Sequence, residues 1–295
     1  MIIKALARLL ILTLTFASFA WILSGSAGIM EIEMTEPSLW KLTWSDEFTG
    51  PPGTPPDEGK WVHDIGGGGW GNKELEYYTD SPENAALDGN GQLAITARLA
   101  PEGLYCHYGP CRYTSARLKT LGKFEQQYGR VEARIKLPAG QGLWPAFWML
   151  GNNFPSVSWP ACGEIDIMEY RGSNTTASSS AIHGPGYYGN TPFYHRYSLP
   201  TGNFTDDFHL FAVEWGPDQL QFFVDQDLHY TVTRTSIEQR GAWVFDHPFF
   251  IIINLAVGGH FDGNPASDDI FPAVMLVDYV RVYEYTGAYQ PLPSK

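Results

Sequence analysis

The sequence predicts an all-β fold, an antiparallel sandwich, and three features carry that expectation. Along Arg130–Leu137 the residues alternate strictly. Val131, Ala133, Ile135 and Leu137 fall on one face, and Arg130, Glu132, Arg134 and Lys136 on the other, which is the period of a half-buried strand. Similar short runs recur at Gln92–Arg98, His209–Trp215, Gln221–Val224, Phe249–Leu255 and Leu276–Tyr285. Glycine (31 residues) and proline (21) are spread throughout the chain. Clusters such as Asp88-Gly89-Asn90-Gly91 and Pro138-Ala139-Gly140 supply turns between the runs and break any long helix.

In chain order, Lys4 and Arg8 precede an apolar run from Leu9 to Leu23, followed by Ser24, Gly25, Ser26 and Ala27. Basic, then apolar, then small is the order of a secretory leader, so residues 1–27 are expected to be an export signal cleaved after about Ala27. Residues 28–38 read as a polar linker. No linker or repeat divides residues 39–287, which are expected to form one domain, with 288–295 as a tail. Only Thr235–Arg240 has a weakly helical look. The run Gly66–Gly69 lacks the Gly-Lys-Ser/Thr that a phosphate loop needs, and reads as a flexible loop before Trp70.

Charged residues are sparse, at 17%, while aromatics reach 15% and the formal net charge is −13. With no cluster of Lys or Arg, nucleic acid is not an expected partner. The rings suit a thick β-core or platforms for a ligand. Of the three cysteines, Cys106 and Cys111 flank a short Gly109-Pro110 segment and are placed to close a small disulfide loop in an exported protein. Cys162 is left over, two residues before Glu164, and no Cys/His spacing resembles a zinc site.

The chemistry concentrates in Gly163-Glu164-Ile165-Asp166-Ile167-Met168-Glu169-Tyr170. Glu164 and Asp166 are two apart and share a strand face, with Ile165 and Ile167 on the other. Glu169 is five from Glu164, so regular pleating turns it to the wrong side; one extra residue, a β-bulge near Met168, restores its facing. Three acids on one face repel, and at least one stays protonated near neutral pH. One ionised and one protonated carboxyl is what retaining glycoside hydrolysis requires. The alternatives for an acidic triplet alone are a solvated strand edge or a calcium site. Trp144 and Trp148, four apart, share a face, and Trp159 lies five residues before Glu164. Such indoles stack on the apolar faces of sugar rings, while Asn72, Glu76, Arg117, His183 and Asn254 are candidate partners for hydroxyls. His183 is placed to hydrogen-bond Glu169.

The acidic segment resembles the signature of glycoside hydrolase family 16, in its laminarinase-like, endo-β-1,3-glucanase branch. The resemblance runs over most of residues 40–285. It includes Trp44-Ser45-Asp46-Glu47-Phe48, Trp70-Gly71-Asn72-Lys73-Glu74, Tyr128–Arg134, Trp144–Leu150, Asn254–Gly259 and Val277–Tyr283. It implies a β-jelly roll of two curved antiparallel sheets with an open cleft on the concave face. It also implies Glu164 as nucleophile, Glu169 as acid/base and Asp166 as helper. No cofactor is implied for catalysis, but a structural calcium is, with Glu47, the backbone of Gly91 and Asp278 matching its ligands. The E-x-D-x-x-E spacing resembles the β-1,3-glucanase side of the family, whereas licheninases and xyloglucan enzymes usually carry E-x-D-x-E. The expectation is a secreted endo-β-1,3-glucanase acting on a β-glucan, monomeric and without stable membrane association once the leader is removed. A transglycosylase, a non-catalytic glucan-recognition protein and a galactan-cleaving enzyme remain alternatives.

Overall fold

Two antiparallel sheets packed face to face account for nearly all of the regular structure. The computed structural model describes residues 39–288; the expected leader, the linker and the tail beyond Ala288 lie outside them. In chain order the strands are β1 (Trp40–Asp46), β2 (Val62–His63), β3 (Glu76–Tyr78), β4 (Ala85–Leu87), β5 (Leu93–Leu99), β6 (Tyr105–Cys106), β7 (Gly109–Pro110), β8 (Tyr113–Ser115), β9 (Arg117–Lys119) and β10 (Gly129–Lys136). They continue with β11 (Leu143–Gly151), β12 (Glu164–Tyr170), β13 (Ala177–His183), β14 (Phe193–Ser198), β15 (His209–Trp215), β16 (Gln219–Val224), β17 (Asp227–Thr233), β18 (Phe249–Val257) and β19 (Ala273–Tyr285).

The outer sheet runs β17-β16-β15-β10-β19-β5-β8-β3, with β1 also on β19 and β4 on β5. The cleft sheet runs β14-β13-β12-β11-β18-β9-β2. Strands far apart in sequence are thus neighbours, as a jelly roll requires. Among the described residues every paired strand is antiparallel except β3 on β8.

The alternation in the sequence becomes the core. Val131, Ala133 and Ile135 of β10 meet Ile165 and Ile167 of β12 and Ile251, Ile253 and Leu255 of β18, all buried. Each buried Val, Leu or Ile there contributes about 1.5–3 kcal/mol. The central strand β18 is buried along its whole length, because sheet neighbours and loops cover both its faces. The predicted helix is one short turn, Arg234–Glu238, started by a capping box between Thr233 and Ser236. The glycine run is not a free loop. A Cβ on Gly67 meets Cys106 Sγ at 2.5 Å, and one on Gly69 meets His107 at 2.8 Å. Cys106 and Cys111 are disulfide-bonded, and their hairpin β6–β7 packs directly on that run.

Candidate active site

The bulge that the acidic motif demands is present in β12. Against β11, Phe147 faces Met168 and Trp148 faces Asp166, which leaves Ile167 without a partner. Against β13, Asp166 faces Ala181 and Glu169 faces Ser179. The extra residue returns Glu169 to the face that carries Glu164 and Asp166. Cross-strand registers then build rows over the concave sheet. One row reads Arg117, Asn254, Ala146, Glu169, Ser179, Arg196. The next reads Lys119, Ile252, Trp148, Asp166, Ala181, Tyr194. Glu164 follows, between Leu150 and His183. The small Ala146, between Trp144 and Trp148, leaves room beside Glu169.

Burial dominates the electrostatics. The Glu164 carboxyl is pushed up to about 8 by desolvation, then by the neighbouring Asp166 charge, with His183 opposing. Glu169 is pushed up to about 8 for the same two reasons, opposed by His183, Arg171 and the Trp144 indole. Asp166 is also raised to about 8 by burial, against a hydrogen bond with Glu164. The triad therefore holds protons near neutrality and titrates as a unit. Trp159, 39% exposed, donates its indole N–H to Glu164 Oε2 at 2.9 Å and meets Tyr188 edge-on. Trp144 stacks on Phe261 at 4.5 Å. Arg117 lies over both Trp70 and Trp148 and is fixed by Asp64 at 3.0 Å.

The arrangement is an open sheet face with two half-buried glutamates, a buried aspartate between them and indole walls. The family model for glycosyl hydrolases family 16 matches residues 72–280. The chain belongs to glycoside hydrolase family 16. It is 42% identical to the beta-glucanase of Rhodothermus marinus over 253 residues, covering 83% of this chain and 86% of that protein. The crystal structure of the laminarinase catalytic domain of Thermotoga maritima is 48% identical, with a TM-score of 0.77, covering 83% of this chain and 98% of that domain. Other relatives are longer: the chain spans 39% of the glucan endo-1,3-beta-glucosidase A1 of Niallia circulans, to which it is 39% identical over 272 residues, or 85% of this chain.

Within this family 16 cleft the sequence-predicted residues divide. Trp148 and Asn254 are joined, the indole N–H donating to Asn254 Oδ1 at 2.8 Å. Asn72 donates to Glu74 Oε1 at 3.0 Å. His183 does not hold Glu169; its Nε2 lies 3.3 Å from Asp166 and 3.7 Å from Glu164, because the register seats it opposite Glu164. Glu76 is no sugar contact. It is fully buried, its Oε2 accepts from the Val257 N–H at 2.7 Å, and Glu74 lies beside it. Sequence reasoning passed over Glu74, which with Tyr78 forms the support beneath Asn72 and Asn254. It also passed over Asp64 and Tyr188. The only available signal was their closeness in sequence to Trp70 and His183. Glu164, Asp166 and His183 also place three ligand atoms within 4.8 Å of one another, but these are the catalytic candidates themselves.

Cys162 is a buried free thiol, pushed up to about 11 by burial and the nearby Glu164, so it is inert as a nucleophile. The expected calcium ligands come only partly together. Strands β1 and β5 lie end to end on one edge of β19, and the gap between them falls at Asp278–Tyr279. That register brings the chain just after Asp46 and just before Leu93 to the level of Asp278. The Glu47 carboxylate is not a free ligand, however: both its oxygens accept from Arg281, at 2.9 and 2.8 Å. Asp278 Oδ2 accepts from Arg134 at 2.7 Å. The donors fit a hard cation only as main-chain carbonyls plus Asp278, without the Glu47 side chain.

Proposed function

We propose that this chain is an exported, monomeric endo-β-1,3-glucanase that cuts internal bonds of laminarin-like glucan, with retention at the anomeric carbon. The observation that carries the reading is the bulged β12, which turns Glu164 and Glu169 toward one open cleft with Asp166 between them. Glu164, ionised while Asp166 keeps the proton the two share and held by the Trp159 N–H, attacks the anomeric carbon. Glu169 gives its proton to the leaving oxygen, and the glycosyl group passes to Glu164 as an ester. Glu169, now ionised, takes a proton from water; the water breaks the ester and restores Glu164. Asp166 shares a proton with Glu164 and raises Glu169, so the charge moves within the triad rather than out to solvent. Trp144, Trp148 and Trp159 provide ring platforms, while Asn72, Arg117, His183 and Asn254 provide polar contacts along the rim and floor.

Product analysis on laminarin, barley mixed-linkage glucan, xyloglucan, agarose and κ-carrageenan tests the reading, with Glu169→Gln in parallel. Short β-1,3-linked oligosaccharides from laminarin are expected, reduced by about 10²–10⁴-fold in the variant. Cleavage of a galactan alone overturns the substrate assignment, and binding without products overturns the hydrolase reading. Export is tested by N-terminal sequencing of protein from the culture medium, where a start near residue 28 is expected. A structural calcium at Asp278 and the carbonyls near Glu47 and Gly91 belongs to the same proposal. Its removal by a chelator is expected to lower Tm while leaving activity intact well below that Tm.

A further inference from the structure

We infer that Ser180, backed by His229 and His195, is a positioning device that holds the β12 bulge and thereby aims Glu169. Ser180 faces away from the cleft. In the β12–β13 ladder it alone opposes two residues, Ile167 and Met168. Its Oγ donates to the Ile167 carbonyl at 2.8 Å, at the residue that has no partner on β11. Ser179, one position along, donates to the Glu169 carbonyl at 3.3 Å. Two consecutive serines thus grip the backbone on both sides of the acid/base residue.

Behind Ser180 lies a second bulge, in the opposite sheet. Along β16–β17 the register passes from Phe222 facing Tyr230 to Phe223 facing Leu228, which leaves His229 as the extra residue. His229 Nε2 reaches Ser180 Oγ at 3.3 Å, and its Nδ1 meets His195 Nδ1 at 3.3 Å. His195 is the cross-strand neighbour of Ser180 on β14. The donors follow by elimination. A carbonyl only accepts, so the single Ser180 proton goes to Ile167. Nε2 of His229 must then carry the hydrogen toward Ser180, Nδ1 must be bare, and His195 must donate to it. Burial, with His195 beside it, pushes His229 down to about 4, which keeps this neutral tautomer. The other groups around the pair are Asp227, Tyr197 and Tyr230, and Tyr197 donates its hydroxyl to Asp227.

The inference rests on Glu169 being the general acid, and the experiment separates the two claims. The measurement is kcat/KM on laminarin, whose leaving group needs a proton, and on a 2,4-dinitrophenyl β-laminaribioside, whose leaving group does not. Glu169→Gln is the control. Ser180→Ala is expected to lower kcat/KM on laminarin about tenfold, the scale of one lost hydrogen bond, and to leave the dinitrophenyl substrate unchanged. Ser180→Cys, which refills the space but donates weakly, should fall between, and His229→Leu should show the same selectivity. If Glu169→Gln discriminates between the substrates while Ser180→Ala slows both equally, or neither, the positioning role is wrong and the general acid stands. If Glu169→Gln itself does not discriminate, the acid assignment fails first.

Discussion

Two acidic clusters lie within the same sandwich, and burial raises the carboxyls of both. Glu164, Asp166 and Glu169 stand on β12 at the floor of an open cleft, all pushed up to about 8. Glu74 and Glu76 lie at β3, where burial raises Glu74 and raises Glu76 further, with Glu74's charge adding to the latter. The first cluster is flanked by indoles and reaches solvent through two half-buried glutamates. The second is sealed by Tyr78, Val257 and the disulfide hairpin. A perturbed carboxyl thus does not mark a catalyst by itself; access to a substrate does. Within it Glu74 acts as a support for Asn72 and, through Tyr78, for Asn254 and Trp148, while Glu76 accepts from the Val257 N–H.

Substitutions should separate the two clusters sharply. Glu164→Ala is expected to cut turnover by at least about 10⁴-fold, the scale of losing a covalent nucleophile. Azide should restore cleavage of an activated glycoside with inverted product, and undiminished activity would sink the assignment. At pH, the general acid must be protonated, so kcat/KM should fall as pH rises through about 8. Asp166→Asn removes a charge that raises Glu169, so the alkaline limb should move to lower pH; an unmoved limb would show that the triad is not coupled. The smallest effect is expected at Glu76→Gln, where activity should stay near the parent level. The folded pKa of Glu76 lies above its unfolded value, so unfolding releases a proton. The stability it contributes is full below the unfolded pKa of about 4.3 and is lost as pH rises toward the folded value. Melting scans should therefore show Glu76→Gln gaining on the parent as pH rises above the unfolded value.

Much of this was legible beforehand. Period two located the strands, and an odd spacing between glutamates located the bulge, because facing on a strand is a matter of parity. Elsewhere the same logic misled. Glu74-Leu75-Glu76 alternates like an exposed edge, yet a parallel pairing with β8 and the hairpin 105–111 cover it, and neither is visible in local pattern. The sequence points His183 toward Glu169, but long-range register seats it against Glu164 and Asp166. The Glu47 carboxylate reads as free in the sequence, yet Arg281, 234 residues away, takes it, which leaves only main-chain oxygen there for the proposed cation. Ser180 and His229 carry no local signal, since their meaning depends on two bulges meeting across the sandwich.

The single unpaired residue in β12 also bears on descent. Deleting Ile167 or Met168 would return the strand to regular pleating with the glutamates four apart, an even number, so both would still face the cleft. The two spacings known within the family are therefore one codon deletion apart, and neither side of that step hides a catalytic carboxyl. A lineage can cross it without passing through a form that points its acid into the core.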